Sequence, residues 1–251
     1  MSTASIEFLG HSSLVLELDG VRLLTDPALR ERIGPLQRTV AEPADRALEG
    51  IDVVLVSHLH WDHLDLPSLR RVPRSARIVV PAGAGAWLRS QGFDHVVEAA
   101  PRERLDLGGL TIEPVPARHG GTRPPLGPTT QALGYVIRGS RSVWFAGDTD
   151  LHPGMAALRG MVDIAFLPVW GWGPVLRRGV HLDPARAAAA AGLVGVGTAV
   201  PIHWGTYWPR GMGRVRRGRL IEPPREFARL TAALVPGLRV AATDIGGRLD
   251  L

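Results

Sequence analysis

The chain contains no cysteine, which removes disulfide bonds, thiolate nucleophiles, iron–sulfur clusters and cysteine-based zinc fingers together. Any metal it binds must be held by histidine and carboxylate. Lysine is absent as well: all 29 basic residues are arginine, against 24 Asp and Glu. With Ala, Gly and Pro abundant, this reads as GC-rich codon usage rather than function. It raises the isoelectric point to about 10.9 although the formal net charge is only +5, so nucleic acid is not expected as a partner.

Long apolar runs are missing too. The best, 187–202, is interrupted by Gly192, Gly195 and Gly197, so no membrane span and no membrane anchor are expected. Met-Ser-Thr-Ala-Ser at the start shows no basic stretch followed by an apolar one, and the chain is read as cytoplasmic. At 251 residues, with 45% hydrophobic and 21% charged residues, the composition suits one sizeable core, and residues 1–251 are expected to form a single domain. Nothing in the sequence specifies an oligomeric state.

What is present is concentrated in one run. Val56-Ser-His-Leu-His-Trp-Asp-His-Leu-Asp65 places His58, His60, Asp62 and His63 within six residues, directly after the apolar stretch 52–56. A single histidine beside a strand end is usually a packed or solvated side chain. Three histidines and an aspartate at a buried strand end compete for the same few partners, which is costly unless something satisfies them all. Neutral imidazoles with an anionic oxygen are the donor set that borderline divalent ions prefer, and the cluster predicts a metal site, with two ions.

The hydrophobic pattern predicts strands over 5–10, 13–18 and 21–25, with Asp19-Gly20 as a hairpin turn, and a charged surface excursion over 27–49. Residues 52–57 read as a buried strand, 66–71 as a short helix, 77–81 as a strand and 84–91 as a helix. Further strands are expected over 105–107, 110–115, 133–137, 142–146, 164–168, 198–202 and 238–242, with helices over 184–193 and 223–234. Each half runs from hairpins into strand–helix units, so two face-to-face sheets with outer helices satisfy the pattern.

Four more positions share the context of a strand end followed by small residues: Asp26, His119, Asp148 and His203. Functional side chains in layered α/β folds collect at that edge. With them on the page, the chain resembles the metallo-β-lactamase fold superfamily: His58-x-His60-x-Asp62-His63 is followed in order by His119, Gly147-Asp148-Thr149 and His203. Gly10-His-Ser-Ser, Thr25-Asp-Pro, His181-Leu-Asp-Pro and Ile202-His-Trp-Gly-Thr206 are similar to the branch containing N-acyl-phosphatidylethanolamine phospholipase D and L-ascorbate-6-phosphate lactonase.

The resemblance implies a four-layer αββα sandwich of two mixed β-sheets. It also implies a first divalent ion on His58, His60 and His119, a second on Asp62, His63 and His203, and Asp148 as the bridge. The metal is expected to be zinc, with manganese or iron as alternatives, and a water shared by the ions would act as hydroxide nucleophile. Asp62, Asp148 and His181 are the expected catalytic residues, although Val180 stands where the phospholipase pattern has Gln. His11, Asp26 and Asp65 are expected to support the ligands. Arg123 and the Arg-rich run 209–220, above all Arg210, Arg214 and Arg216, are expected to bind a small anionic substrate.

The leading expectation is thus a hydrolase of a phosphate-bearing ester such as a phosphodiester. Alternatives are a lactonase or other carboxylic-ester hydrolase, a nuclease, and a metal-binding or regulatory module without catalysis. Trp61, Trp170, Trp172, Trp204 and Trp208 lie near the motifs and are candidates for an apolar pocket wall. His95 reads as a surface residue; His152 is left open.

Overall fold

The computed structural model describes residues 4–251 apart from 177, 178, 213, 214 and 216. Two seven-stranded sheets carry most of them. The first runs in spatial order Arg248–Asp250, Ser5–Gly10, Ser13–Leu18, Val21–Thr25, Val53–Leu55, Arg77–Pro81, Val96–Ala99. The second runs Arg239–Val240, Thr198–Ile202, Ile164–Pro168, Ser142–Phe145, Leu133–Arg138, Leu110–Pro116, Leu105–Leu107. Each sheet is antiparallel through its hairpins and parallel through its strand–helix units.

Strand alternation explains the layers. Val53, Leu55 and Val79 enter the core shared with Tyr135, Ile137 and Phe145 of the other sheet, whereas Val54, Ile78 and Val80 pack with Leu69, Ala84 and Leu88. The two-sided burial is why 52–57 reads as an unbroken apolar run. The outer cover of the first sheet comes from α1 (Leu66–Leu69) and α2 (Gly85–Ser90). On the second sheet α3 (Pro184–Val194) lays Ala187, Ala188, Ala190 and Ala191 into the core and packs against α4 (Glu222–Leu234). Asp183 starts α3 by accepting from the Arg186 N–H at 2.9 Å, with Pro184 in the first turn, the arrangement that satisfies a helix N-terminus most cheaply.

The structure departs from the sequence expectation at 27–49. This segment is not a simple surface excursion: Arg32–Ile33 and Leu36–Arg38 pair with each other and with Tyr207–Pro209 in a third, three-stranded sheet. Arg38 is buried, its guanidinium donating to the carbonyls of Leu9, Ala28 and Ala41. Its partner strand lies about 170 residues away in sequence, so no local pattern announces it. The edge strands Val96–Ala99 and Arg248–Asp250 also went unpredicted, being short and part-exposed. Helix 66–71 ends earlier, at Leu69, and strand 238–242 shrinks to Arg239–Val240. No helix among the described residues is long and apolar enough to cross a membrane.

Candidate metal centre

The parallel strands deliver the predicted residues to one place. Asp26 follows Thr25, the His58–His63 run follows Leu55, Asp148 follows Phe145 and His203 follows Ile202, all at C-terminal strand ends. Loops leaving such ends converge, which is where α/β sheets hold ligands. Gly147 permits the approach of the two sheets: a Cβ there would fall 2.6 Å from Ser57 Cβ and 2.8 Å from the Leu133 carbonyl, and its φ is +60°. His11, Asp26 and His203 are non-glycine residues with φ of +55°, +35° and +62°. Three of the five such residues described therefore sit in this one cluster, where surrounding contacts must hold a strained backbone.

Two groups of donor atoms result. His58 Nε2 lies 2.9 Å from His60 Nδ1, and His119 Nε2 lies 3.2 Å from the same atom. In the second group His63 Nε2 and His203 Nε2 are 3.1 Å apart, with Asp62 Oδ2 3.8 Å from His63 Nε2. Asp148 stands between: Oδ1 is 3.1 Å from His203 Nε2, while Oδ2 is 3.2 Å from His63 Nε2 and 3.9 Å from His119 Nε2. All but His60 and His119 are almost fully buried.

The outward ring nitrogens decide which atoms carry protons. His203 Nδ1 donates to the Trp170 carbonyl at 2.9 Å, His119 Nδ1 to the Val180 carbonyl at 2.8 Å, and His63 Nδ1 to Asp26 Oδ2 at 2.6 Å. Ser57 Oγ donates to Asp26 Oδ2 at 2.6 Å and so accepts from His58 Nδ1 at 3.0 Å. Each of these four rings therefore engages its Nδ1 proton outside the cluster and turns Nε2 inward. Lone pairs facing lone pairs at about 3 Å repel unless a cation lies among them, and donors on one tetrahedral ion stand roughly 3.3 Å apart for bonds of about 2.0–2.1 Å. Asp148 Oδ1, buried with no hydrogen-bond donor, fits the same requirement. The residues present suit divalent metal binding.

Ionisation agrees with that donor set. Burial holds His58 and His203 well below the usual imidazole range, His119 below it, and His60 at about 4. For Asp62 and Asp148 burial acts upward, yet the surrounding histidines outweigh it and keep both carboxylates well below their usual value. His63 is the exception: burial acts downward, but Asp148, Asp26 and Asp62 outweigh it and hold a second proton on the ring. Three carboxylates that retain a proton there would also retain a cation.

His11 differs from these histidines. Its Nε2 lies 3.0 Å from Asp62 Oδ2 and its ring centroid is 3.9 Å from that of His203 at a tilt of 36°, but its buried Nδ1 has no partner. A proton on Nδ1 would be left unsatisfied, so the proton belongs on Nε2, donating to Asp62. His181, half-buried, brings Nδ1 to 3.3 Å from Asp148 Oδ2.

Other expected residues lie elsewhere. Asp65 does not support a ligand histidine: both its oxygens take Arg30 at 2.7 Å, and it caps α1 by accepting from Ser68. Arg123 does not face a substrate site; its guanidinium donates to the carbonyls of Leu59 and Leu64 and lies over the Trp87 ring at 5.3 Å. The Arg210 side chain is exposed, and its backbone N–H bonds the Pro35 carbonyl. Arg214 and Arg216 lie outside the described residues. Of the tryptophans, Trp61 and Trp172 line the cavity over the donor atoms, Trp170 lines a neighbouring one, and Trp204 and Trp208 are buried away from it. His95 is exposed, as expected.

Sequence reasoning missed Ser57, whose hydroxyl links Asp26 to His58, although its place beside His58 was a usable signal. It also missed the Val180 carbonyl, which holds His119; a backbone acceptor can come from any residue type, so the Val180 departure leaves that contact intact.

Residues 21–204 match the family described as beta-lactamase superfamily domain, and the chain belongs to that family. It is 30% identical over 247 residues to a metal-dependent hydrolase of Methanopyrus kandleri, covering 96% of this chain and 97% of that one. It is 28% identical over 226 residues to the N-acyl-phosphatidylethanolamine-hydrolyzing phospholipase D 1 of Caenorhabditis elegans, covering 80% of this chain and 63% of that one. Among solved structures, a metallo hydrolase from Ignicoccus hospitalis superposes with a TM-score of 0.77 at 21% identity, covering 99% of this chain and 98% of that one. The chain spans 60% of the length of the mycobacterial relatives that it matches at 33% identity.

Proposed function

We propose that the protein is a dinuclear metal-dependent hydrolase of a phosphate-bearing ester such as a phosphodiester. The observation that carries the metal reading is the convergence of four inward-facing Nε2 atoms and two ionised carboxylates, with neighbouring donor atoms 2.9–3.9 Å apart. His58, His60 and His119 would hold one ion, Asp62, His63 and His203 the other, and Asp148 both. Zinc suits this nitrogen-rich set, with manganese or iron as the alternatives. When bound, such a pair supplies Lewis acidity and brings the pKa of water toward neutrality.

The protein's own groups do the rest. Asp148 sets Oδ1 on His203 and Oδ2 between His63 and His119, and His11 holds the orientation of Asp62 from behind. His181 stands on the cavity wall beside Asp148, where its ring can pass a proton to a departing oxygen. The phospholipase relative supports a phosphoryl centre over an acyl one.

Two measurements test this. Elemental analysis of protein purified without chelator should give two divalent ions per chain, and bis-p-nitrophenyl phosphate should be hydrolysed in preference to a lactone. Asp62→Ala and His63→Ala should each abolish turnover while the protein stays folded. Unchanged activity in both variants would rule out the two-ion reading; lactone opening without phosphodiester cleavage would move the substrate to the carboxylic esters. Metal-free protein that zinc and manganese cannot reconstitute would favour a role without catalysis.

A further inference from the structure

The donor atoms open into a cavity of about 530 Å³, within the range of about 300–1,000 Å³ typical of small-molecule sites. His60, Asp62, His119, Asp148 and His181 reach it from one side. Most of the remaining wall is apolar, formed above all by Ile33, Leu36, Trp61, Trp172, Val175 and Leu176. No arginine is among the described residues that line it. Three described arginines are engaged elsewhere. Arg123 is turned to backbone carbonyls. Arg186 and Arg219 line a separate cavity beyond Val175, Leu176 and His181, where Arg186 pairs with buried Asp150. Arg219 lies over Trp170 and faces Glu222 and Glu226 at 3.7 and 3.9 Å.

The wall is also pre-formed. Trp61 Nε1 donates to the Pro124 carbonyl at 3.1 Å, and the Trp61 ring lies so close over Gly34 that a Cβ there would come within 2.5 Å of it. At the mouth, Trp172 and Val175 are 42% and 70% exposed. Apolar side chains left in water around a catalytic cleft gain by being covered.

We infer that this cavity is a subsite for an uncharged alkyl or aryl substituent of the ester, with the substrate's negative charge confined to the reacting centre. Its place beside the scissile bond rests on the metal-centre reading. Its apolar character rests on the wall alone. Each methylene buried there should tighten binding by about three- to fourfold, from about 0.8 kcal/mol per methylene.

Calorimetry with n-alkylphosphonates from methyl to hexyl, titrated into zinc-loaded protein, reads this without turnover. The dissociation constant should fall by about threefold or more per carbon, and a hexylphosphonate ending in a carboxylate should bind no better than methylphosphonate. Trp172→Ala should flatten the series while leaving methylphosphonate within about twofold. A flat wild-type series or preference for the carboxylate-ended compound would overturn the inference.

A parallel series of neutral 4-alkylphenols needs no metal. Affinity that rises with chain length there, and is weakened by Trp172→Ala, supports the apolar subsite even if zinc loading or phosphodiester cleavage fails. A flat phenol series overturns the subsite whatever the metal result.

Discussion

Asp26 Oδ2 lies 2.6 Å from His63 Nδ1, with both side chains wholly buried. The same carboxylate accepts from the Ser57 N–H at 2.7 Å and the Ser57 hydroxyl at 2.6 Å, and that hydroxyl accepts from His58. One aspartate therefore orients a histidine in each donor group. Burial pushes its pKa up, and His63 and Ser57 offset only part of that.

Asp26→Asn should weaken binding of both ions by about 10–100-fold, the usual cost of losing a partner of a metal-ligating histidine. Ser57→Ala should weaken only the ion on His58. Competition with a chromophoric chelator measures both. Wild-type affinity for two ions in Asp26→Asn would contradict the shared-anchor reading.

Removing the ions should cost stability by mass action. At free metal about 100 times the dissociation constant each bound ion contributes about 2.7 kcal/mol, or roughly 5–10 °C in Tm per ion for a chain of this size. Thermal melts with EDTA, then with zinc restored, check this. An unchanged Tm on chelation of protein shown to contain metal would argue against a folded-state site.

The metal-free protein should be acid-sensitive through His60. Burial holds this ring at about 4 despite the opposing pull of Asp62, whereas in the unfolded chain it titrates near 6.5. As pH falls through that window the unfolded chain takes up the proton first, so stability drops between about 6.5 and 4 and is unaffected above it. Melts of chelated protein across this range should show a shallower decline in His60→Asn than in wild type. Equal slopes would mean the ring titrates normally.

Gly34→Ala should destabilise the protein by about 1–3 kcal/mol, since the new Cβ meets the Trp61 ring at a φ of +52°. Urea denaturation gives the value. Trp61→Leu in the same background should recover part of the loss, because the obstructing ring is gone; no recovery would place the cost in the backbone alone.

Much of this was legible along the chain. Period-two and unbroken apolar runs located the central strands, and Asp-Pro before an alanine-rich stretch located α3. The candidate donors were legible because six positions of one loop supply four of them, more than a buried strand end readily satisfies with protein partners. Asp65 misled because the same loop also starts a helix; a carboxylate before Leu-Pro-Ser serves as a cap, and Arg30 completes it. Arg123 misled for a different reason, since composition reports charge but not where a guanidinium group points.

Donor type, number and spacing are local properties of short segments, so the candidate donor set could be read from the chain alone. Only the folded chain fixes the ring nitrogens that face outward, since that depends on acceptors such as the Trp170 and Val180 carbonyls contributed from loops distant in sequence. It also decided the character of the cavity. The pairing of Leu36–Arg38 with Tyr207–Pro209 folds the 33–36 turn over Trp61, and non-local pairing of this kind leaves no periodic trace in the chain.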